Sequence, residues 1–524
     1  MRKFFSNFIT IVVFLSFAVS SCEENYKRQM TMTNKSDNLN ISLSGTGTIT
    51  INWGDGTVET QTLSSDNKEF SHDYSDTSQH IITIYGKNIT YFATIFNQLI
   101  SLDVSRNTAL EVLSCEGNQL INLDVSKNLA LKELWCVKNQ LTSLDVSNNI
   151  ALTKLWCGDN LLTNLDVGNN TALTVLWCNN NSLTRLDVSN NSALTELRCG
   201  KNLLTSLDVS KTTELIWLDC WKNQITSLDV NKNSVLKELW CGYNSLPNLD
   251  VSKNVVLKKL RCGYNSLTNL DLCTNIALEE LDYTENQLTN LDVSKNTALE
   301  YLFCRSNKLT TLDVSKNTEL TWLECTDNQL TNLNLSNNLA LTQLTCDSNQ
   351  LTSLDLNNNV ALKSLHCNYN QLKRLNISNN TALWHLHCNG NQLSNLDVSC
   401  NVELMNLKCT DNQLTNLNLS KNTELLWLNC SNNKITSLDV NRNIALFELI
   451  CSSNQLSSTA LNNLLKSLHR FTMEVKKIIY IEDNPGTSDC DTSIASKKEF
   501  QEWIVVREQI KSPDNCETRK IFTE

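Results

Sequence analysis

The sequence predicts a β-solenoid of about 18 coils of 21 residues, one short parallel strand per coil, with a small β-domain before it and an α/β cap after it. Three observations predict this. A cysteine recurs at every twenty-first position from Cys115 to Cys262 and again from Cys304 to Cys451, with Tyr283 filling the one gap. An asparagine stands three places after the cysteine position in every copy, from Asn97 to Asn454. No insertion or deletion interrupts the array: 17 full repeats run from Ile89 to Ala445, and a half-repeat from Leu446 to Leu456. A period held this strictly means units that stack only on their neighbours, since no single coil can close a core alone.

The consensus is L-x-x-L-x-C-x-x-N-x-L-x-x-L-D-V-S-x-N-x-A. In Leu113-Ser114-Cys115 the apolar residues alternate, so Leu and Cys point inward and the residues between them outward. The chain holds only 13 Gly and 3 Pro, too few for so many corners. Asparagine takes their place, because its amide offers two donors and an acceptor to backbone groups at a bend. A second asparagine, from Asn107 to Asn443, repeats the device at the other bend, with Thr212 as the exception.

The first eleven consensus positions resemble the leucine-rich-repeat core with Cys where Leu is usual, and the second half is a weaker copy of the first. This nested form resembles the bacterial class called IRREKO repeats and, more broadly, internalin-like proteins. The resemblance implies a right-handed leucine-rich-repeat solenoid with its strands on the concave face.

Four segments follow: 1–21, 22–88, 89–456 and 457–524. Arg2 and Lys3, the apolar run Phe8 to Val19 and the string Val19-Ser20-Ser21-Cys22 resemble a lipoprotein signal peptide and lipobox. That match implies cleavage before Cys22, acylation of Cys22, and attachment to a bacterial envelope membrane, the outer one above all. Glu23 and Glu24 resemble the acidic residues that follow the acylated cysteine in surface-exported lipoproteins. Between the anchor and the array, Leu39 to Trp53 and Ile81 to Tyr85 alternate as strands. Trp53-Gly54-Asp55-Gly56-Thr57 with His72-Asp73-Tyr74 resembles the signature of PKD-type sandwiches, His72 reading as a turn residue. After the array, Ser457-Ser458-Thr459 should cap a helix carrying Leu461, Leu464, Leu465 and Leu468 on one face. A strand Ile478 to Ile481, the turn Asn484-Pro485-Gly486 and a second helix from near Ser493 to Val505 complete the expected cap.

Removing Arg2 and Lys3 leaves 42 basic residues against 55 acidic, a net charge of −13, which argues against nucleic-acid partners. The ladder cysteines read as small buried hydrophobes rather than as a metal or redox site, because a linear row interleaved with Leu cannot converge tetrahedrally on zinc. Cys490 and Cys516 lie outside the ladder, and a disulfide between them is left open. A row of aspartates, Asp103, Asp124, Asp145 and their successors, is replaced by Asn334, Asn376 and Asn418. Backbone hydrogen bonding explains that exchange better than Ca²⁺ binding does. His366, His385 and His387 cluster without a nucleophile, zinc or phosphate motif, and Glu279 and Glu280 have only adjacency to recommend them, so neither catalysis nor a cofactor is expected.

What varies between coils is where recognition can reside. The nine array tryptophans occupy a few strand-flanking slots. Trp135, Trp156 and Trp177 share one slot on successive coils; Arg198, Trp217, Asp219 and Trp221, then Trp240, Tyr243, Arg261 and Tyr264, continue the strip. Aromatic and Arg side chains dominate binding hot spots, so these eleven residues are the expected ligand-binding concave face, and the resemblance to internalin-like proteins implies an adhesion molecule that binds a protein of a host or neighbouring cell. The alternative is a structural or carbohydrate-contacting surface spacer.

Overall fold

The structure, a computed structural model, describes residues 29–76, 78–469, 476–496 and 503–508. The expected signal peptide, Cys22 and Cys516 lie outside them. The chain divides into two compact units, Met1–Asn275 and Ile276–Glu524.

The first unit opens with six strands: β1 (Gln29–Asn34), β2 (Asn38–Asn52), β3 (Val58–Leu63), β4 (Lys68–Asp73), β5 (His80–Tyr85) and β6 (Asn88–Ala93). Strand β2 serves two sheets. Its first half pairs antiparallel with β4 and β6, its second half with β3 and β5. The switch falls at Gly45, with φ 151° and a register shift after Ser44. Any Cβ there would sit 2.0 Å from the Asn88 carbonyl oxygen. The Trp53–Thr57 turn is pinned by His72 of β4 and by Tyr74 just after that strand. His72 stacks on Trp53 at 4.8 Å and contacts Asp55 at 2.7 Å, and the Tyr74 hydroxyl donates to the Trp53 carbonyl at 2.8 Å.

This β-domain closes the first coil. Strand β6 pairs parallel with β8 (Val112–Ser114), and β1 pairs antiparallel with β7 (Ser101–Asp103). Asn40 stands in for a preceding coil: its N–H donates to Asn97 Oδ1 at 3.0 Å and its carbonyl accepts from Asn97 Nδ2 at 2.6 Å. Met30, Met32, Leu39 and Ile41 are buried there. The apolar end of the solenoid is thereby covered, as a terminal repeat requires.

From β8 to Lys259–Arg261 each coil contributes a three-residue strand, parallel and in register with the next. The middle leucine and the following cysteine of each are fully buried, as Leu134 and Cys136 illustrate. Burial pushes these thiols up, Cys115 and Cys157 to about 12, so they stay protonated and packed rather than reactive.

The two asparagine ladders work differently. Asn139 Oδ1 accepts from Leu120 N at 3.0 Å, and its Nδ2 donates to the carbonyls of Cys115 and Cys136 at 2.9 and 3.2 Å. One side chain thus ties two coils using both of its functions. Asn128 uses only its donors, to Val104 and Asn107 carbonyls at 3.0 and 2.8 Å. Thr212 reaches only Val209 of its own coil, at 2.9 Å. The residue just before the first-ladder asparagine is left-handed in coil after coil, as at Lys138 and Lys201 with φ 55° and 52°. Glycine takes that position at Gly117, where the Phe96 ring lies 2.2 Å from a would-be Cβ. The aspartate row needs only an acceptor. Asp124 Oδ1 accepts from Ser126 N at 2.9 Å, and in the second unit Asn334 Oδ1 accepts from Ser336 N at 3.1 Å. Asn therefore keeps the same turn bond in place of Asp.

The second unit repeats the coil from Glu280–Asp282 to Glu448–Ile450, with Tyr283 fully buried in the cysteine place. The helix Ser458–Ser467 caps it. Ser457 Oγ accepts from Ala460 N at 3.2 Å, and Leu461, Leu464, Leu465 and the adjoining Leu468 are buried. A strand Lys477–Tyr480 extends the parallel sheet. Asn484 then continues the asparagine ladder into the cap: its Oδ1 accepts from Asn454 N and Leu456 N, both at 3.2 Å. The expected second helix is corrected. Among the described residues Ser493–Ser496 is helical, and Trp503–Val506 is a strand pairing with Lys477–Tyr480. The β-branched run Ile504-Val505-Val506 suits an extended backbone on an open sheet edge better than a helix.

Candidate functional site

Each coil strand shows two outward slots, its first and third residues, on either side of the buried leucine. In the first unit the third slot holds Trp135, Trp156, Trp177, Arg198, Asp219, Trp240 and Arg261 in unbroken register. Trp217 occupies the first slot of the Asp219 strand. Strand stacking makes these side chains neighbours. Trp135 meets Trp156 edge-on at 4.7 Å, and Trp156 meets Trp177 at 5.7 Å. The Arg198 guanidinium then lies between two indoles, 3.8 Å from Trp177 and 3.7 Å from Trp217. Trp217 meets Trp240 at 5.2 Å, and Arg261 covers Trp240 at 4.5 Å. The result is a continuous ladder of rings and guanidinium groups along seven strands.

The rings are half-buried against one another. Cross-strand packing of this kind stabilises a sheet by roughly 0.2–1 kcal/mol per pair, so the ladder serves the fold as well as presenting a surface. Charged residues beside it are paired across coils. Lys132 pairs with Glu111 at 2.7 Å and Lys154 with Glu133 at 3.0 Å, while Trp177 Nε1 donates to Glu196 at 3.3 Å. Arg198 Nε and the indole N–H groups of Trp217 and Trp240 are buried without an acceptor among the described residues. Such donors are a cost that packing alone does not explain.

The other expected site residues are placed differently. Asp219 is spent on the backbone: its Oδ1 accepts from Trp221 N at 3.0 Å, and burial raises its carboxyl while Arg198 lowers it. Trp221, Tyr243 and Tyr264 lie past the cysteine, at the corner rather than on the strand. There Trp221 meets Tyr243 at 5.3 Å, and Tyr243 stacks on Tyr264 at 3.9 Å. Both tyrosines are left-handed, with φ 54° and 57°. The structure thus divides the eleven residues into a strand ladder and a corner stack. What sequence reasoning missed is the Arg198 sandwich, because Trp177 and Trp217 stand in different slots and Arg198 reaches Trp217 across a diagonal.

In the second unit the third slot carries His366, His387 and Lys408, with His385 in the first slot. His366 stacks on His387 at 4.3 Å and Trp384 on His385 at 4.4 Å. Burial is the main cause that holds all three imidazoles below their ordinary value, and Lys408 adds to it. His387 Nε2 contacts Asn406 Oδ1 at 3.2 Å. Among the described residues no group of three or more His, Cys, Asp or Glu side chains could hold a metal ion.

No protein-family model and no curated protein matches the chain. Solved structures do. The functional domain of InlJ from Listeria monocytogenes, which includes a cysteine ladder, is 34% identical with TM-score 0.54, over 75% of this chain and 74% of that one. The leucine-rich-repeat protein LIC12759 of Leptospira interrogans is 23% identical with TM-score 0.57, over 67% of this chain and 91% of that one. The ectodomain of the Arabidopsis thaliana receptor kinase GASSHO1/SCHENGEN3, solved in complex with CASPARIAN STRIP INTEGRITY FACTOR 2, is 19% identical with TM-score 0.58, over 77% of this chain and 56% of that one. The last two share the fold alone, whereas the first shares sequence as well and, like this chain, has a cysteine ladder. The chain belongs to the leucine-rich-repeat family of which the InlJ functional domain is a member.

Proposed function

We propose that this chain is a non-catalytic binding molecule of a bacterial cell envelope, and that it grips a protein partner with the strand face of its first unit. The observation that carries this reading is the ring–guanidinium ladder from Trp135 to Arg261. Large rigid rings lose little conformational entropy on binding, and Trp and Arg are the residues in which interface energy concentrates. Use of the same fold by the plant ectodomain solved with its factor supports a protein partner in kind. Replacing Trp135, Trp156 and Trp177 together with Ser should weaken partner binding about 100-fold or more, the scale of several lost hot-spot contacts. Replacing Asp124, Asp145 and Asp166 with Asn, which keeps their turns, should leave it unchanged. If the tryptophan variant stays folded by circular dichroism and binds as well as the control, the reading fails.

The anchor is part of the same proposal. A lipobox ending at Cys22 would hold the chain to the envelope, the outer membrane above all, by acyl chains, since no helix among the described residues is long and apolar enough to cross a membrane. A Cys22→Ala variant should leave the membrane fraction, and its persistence there would refute the anchor.

A further inference from the structure

The first coils of the second unit present a strand face of a different kind. Tyr301, Phe303 and Trp322 stand in its outward slots, Phe303 and Trp322 edge-on at 5.0 Å and Tyr301 38% exposed. Carboxylates surround them. Asp282 and Glu324 flank Phe303 in the third slot, Glu300 precedes the Tyr301 strand, and Asp327 lies past Cys325. The contrast with the first unit is in the pairing. There Glu111, Glu133 and Glu238 each meet a lysine of the following coil within 4 Å. Here the following coils offer Thr321 and Thr342 instead of lysine, and no ion pair joins Asp282, Glu300, Glu324 or Asp327 to a cation among the described residues. Burial raises Glu324, and Asp282 and Asp347 raise it further against the lowering by Arg305. Like charges held together beside aromatic rings are complementary to an organic cation, which gains both ion pairs and ring faces.

We infer that this face is a second recognition surface, which takes a lysine- or arginine-bearing segment of a protein partner between Tyr301, Phe303 and Trp322 and the carboxylates of Glu300, Glu324 and Asp327. It is independent of the first-unit ladder, beside which Glu111, Glu133 and Glu238 already have lysine partners. The occupant is a basic peptide rather than a metal ion, because the carboxylates do not converge on one point.

The test uses the full chain and a short peptide with lysine and arginine at alternate positions, titrated by calorimetry at low and moderate salt. A counterpart carrying norleucine and citrulline is the neutral control. The basic peptide should bind and weaken with salt, and the neutral one should not bind. The variant Glu300→Gln/Glu324→Gln/Asp327→Asn should lose affinity about 10-fold or more, and Tyr301→Ala several-fold, in the range of interfacial charge and ring contacts. Glu214→Gln/Glu319→Gln/Glu424→Gln removes as many charges from exposed turns and should stay within about twofold, the scale of rim charges. The tryptophan variant of the first unit should bind the basic peptide normally, which separates this surface from the ladder. Equal binding of the neutral peptide, equal loss in the turn variant, or unchanged affinity in the Glu300/Glu324/Asp327 variant would overturn the inference.

Discussion

Asn202→Ala should cost about 2–3 kcal/mol and lower the unfolding midpoint of the first unit, a larger effect than any surface change in the coil. Asn202 is nearly buried. Its Oδ1 accepts from Leu183 N at 3.0 Å, and its Nδ2 donates to Cys178 and Cys199 carbonyls, both at 3.0 Å. Truncation leaves the buried Leu183 N–H without its partner, a cost of about 1–3 kcal/mol, and takes one of two amide donors from each of the Cys178 and Cys199 carbonyls, which keep Asn181 and Asn223 at 3.1 Å. Asn202→Asp should be no milder, because an oxygen would then face both carbonyls. The exposed aspartate row sets the opposite rule: it needs an acceptor alone, and Asn serves there at positions 334, 376 and 418. Urea unfolding of Asn202→Ala, Asn202→Asp and Asp145→Asn checks all three, with Asp145→Asn within about 0.5 kcal/mol of the parent.

Acid should destabilise the second unit well above the range where carboxylates protonate. His387 is held down to about 3, first by burial and then by the charges of His366, Lys408 and His385, with only Asn406 opposing them. A histidine depressed in the folded state stays neutral while its unfolded counterpart takes a proton. Stability is therefore full above pH 6.5 and falls as pH drops below that value toward the folded one. Between pH 6.5 and 4.5 this amounts to about 2–3 kcal/mol for His387 alone. His366 and His385 are lowered in the same direction and add to the slope. Urea midpoints measured from pH 7.5 to 4.5 should fall steeply, and His387→Leu should flatten the fall by about one bound proton whatever it does at pH 7.5. An unchanged slope in His387→Leu would show that the imidazole is freely solvated.

Those two expectations rest on parts of the molecule that were unequally legible. The coil, its inward Leu and Cys, and the first asparagine's role follow from the 21-residue period, because a solenoid converts sequence spacing directly into spatial register, whereas the second asparagine, expected to repeat the device, uses only its donors. Trp135, Trp156 and Trp177 could be placed side by side for the same reason. Contacts across slots could not. The Arg198 sandwich and the Phe303–Trp322 pair join different slots of neighbouring coils, and side-chain reach rather than period decides them. Asn484 escaped because it stands 30 residues after Asn454, off the 21-residue step and beyond the cap helix. The error at Trp503–Val506 has the related cause that a cap strand obeys the neighbouring sheet edge, not a repeat. The left-handed corner residues left no mark in sequence either, since Lys, Asp, Asn, Tyr, Glu and Ser all occupy them.

Site-directed photo-cross-linking tests the central claim most directly. Val175 sits half-buried in the first slot of the strand that carries Trp177, and Lys127 is exposed on the aspartate side of the coil. With a photoreactive phenylalanine analogue at one position or the other, the partner captured by the parent protein should form a covalent adduct from position 175 and none from position 127. An adduct from position 127 alone would contradict the strand-face account.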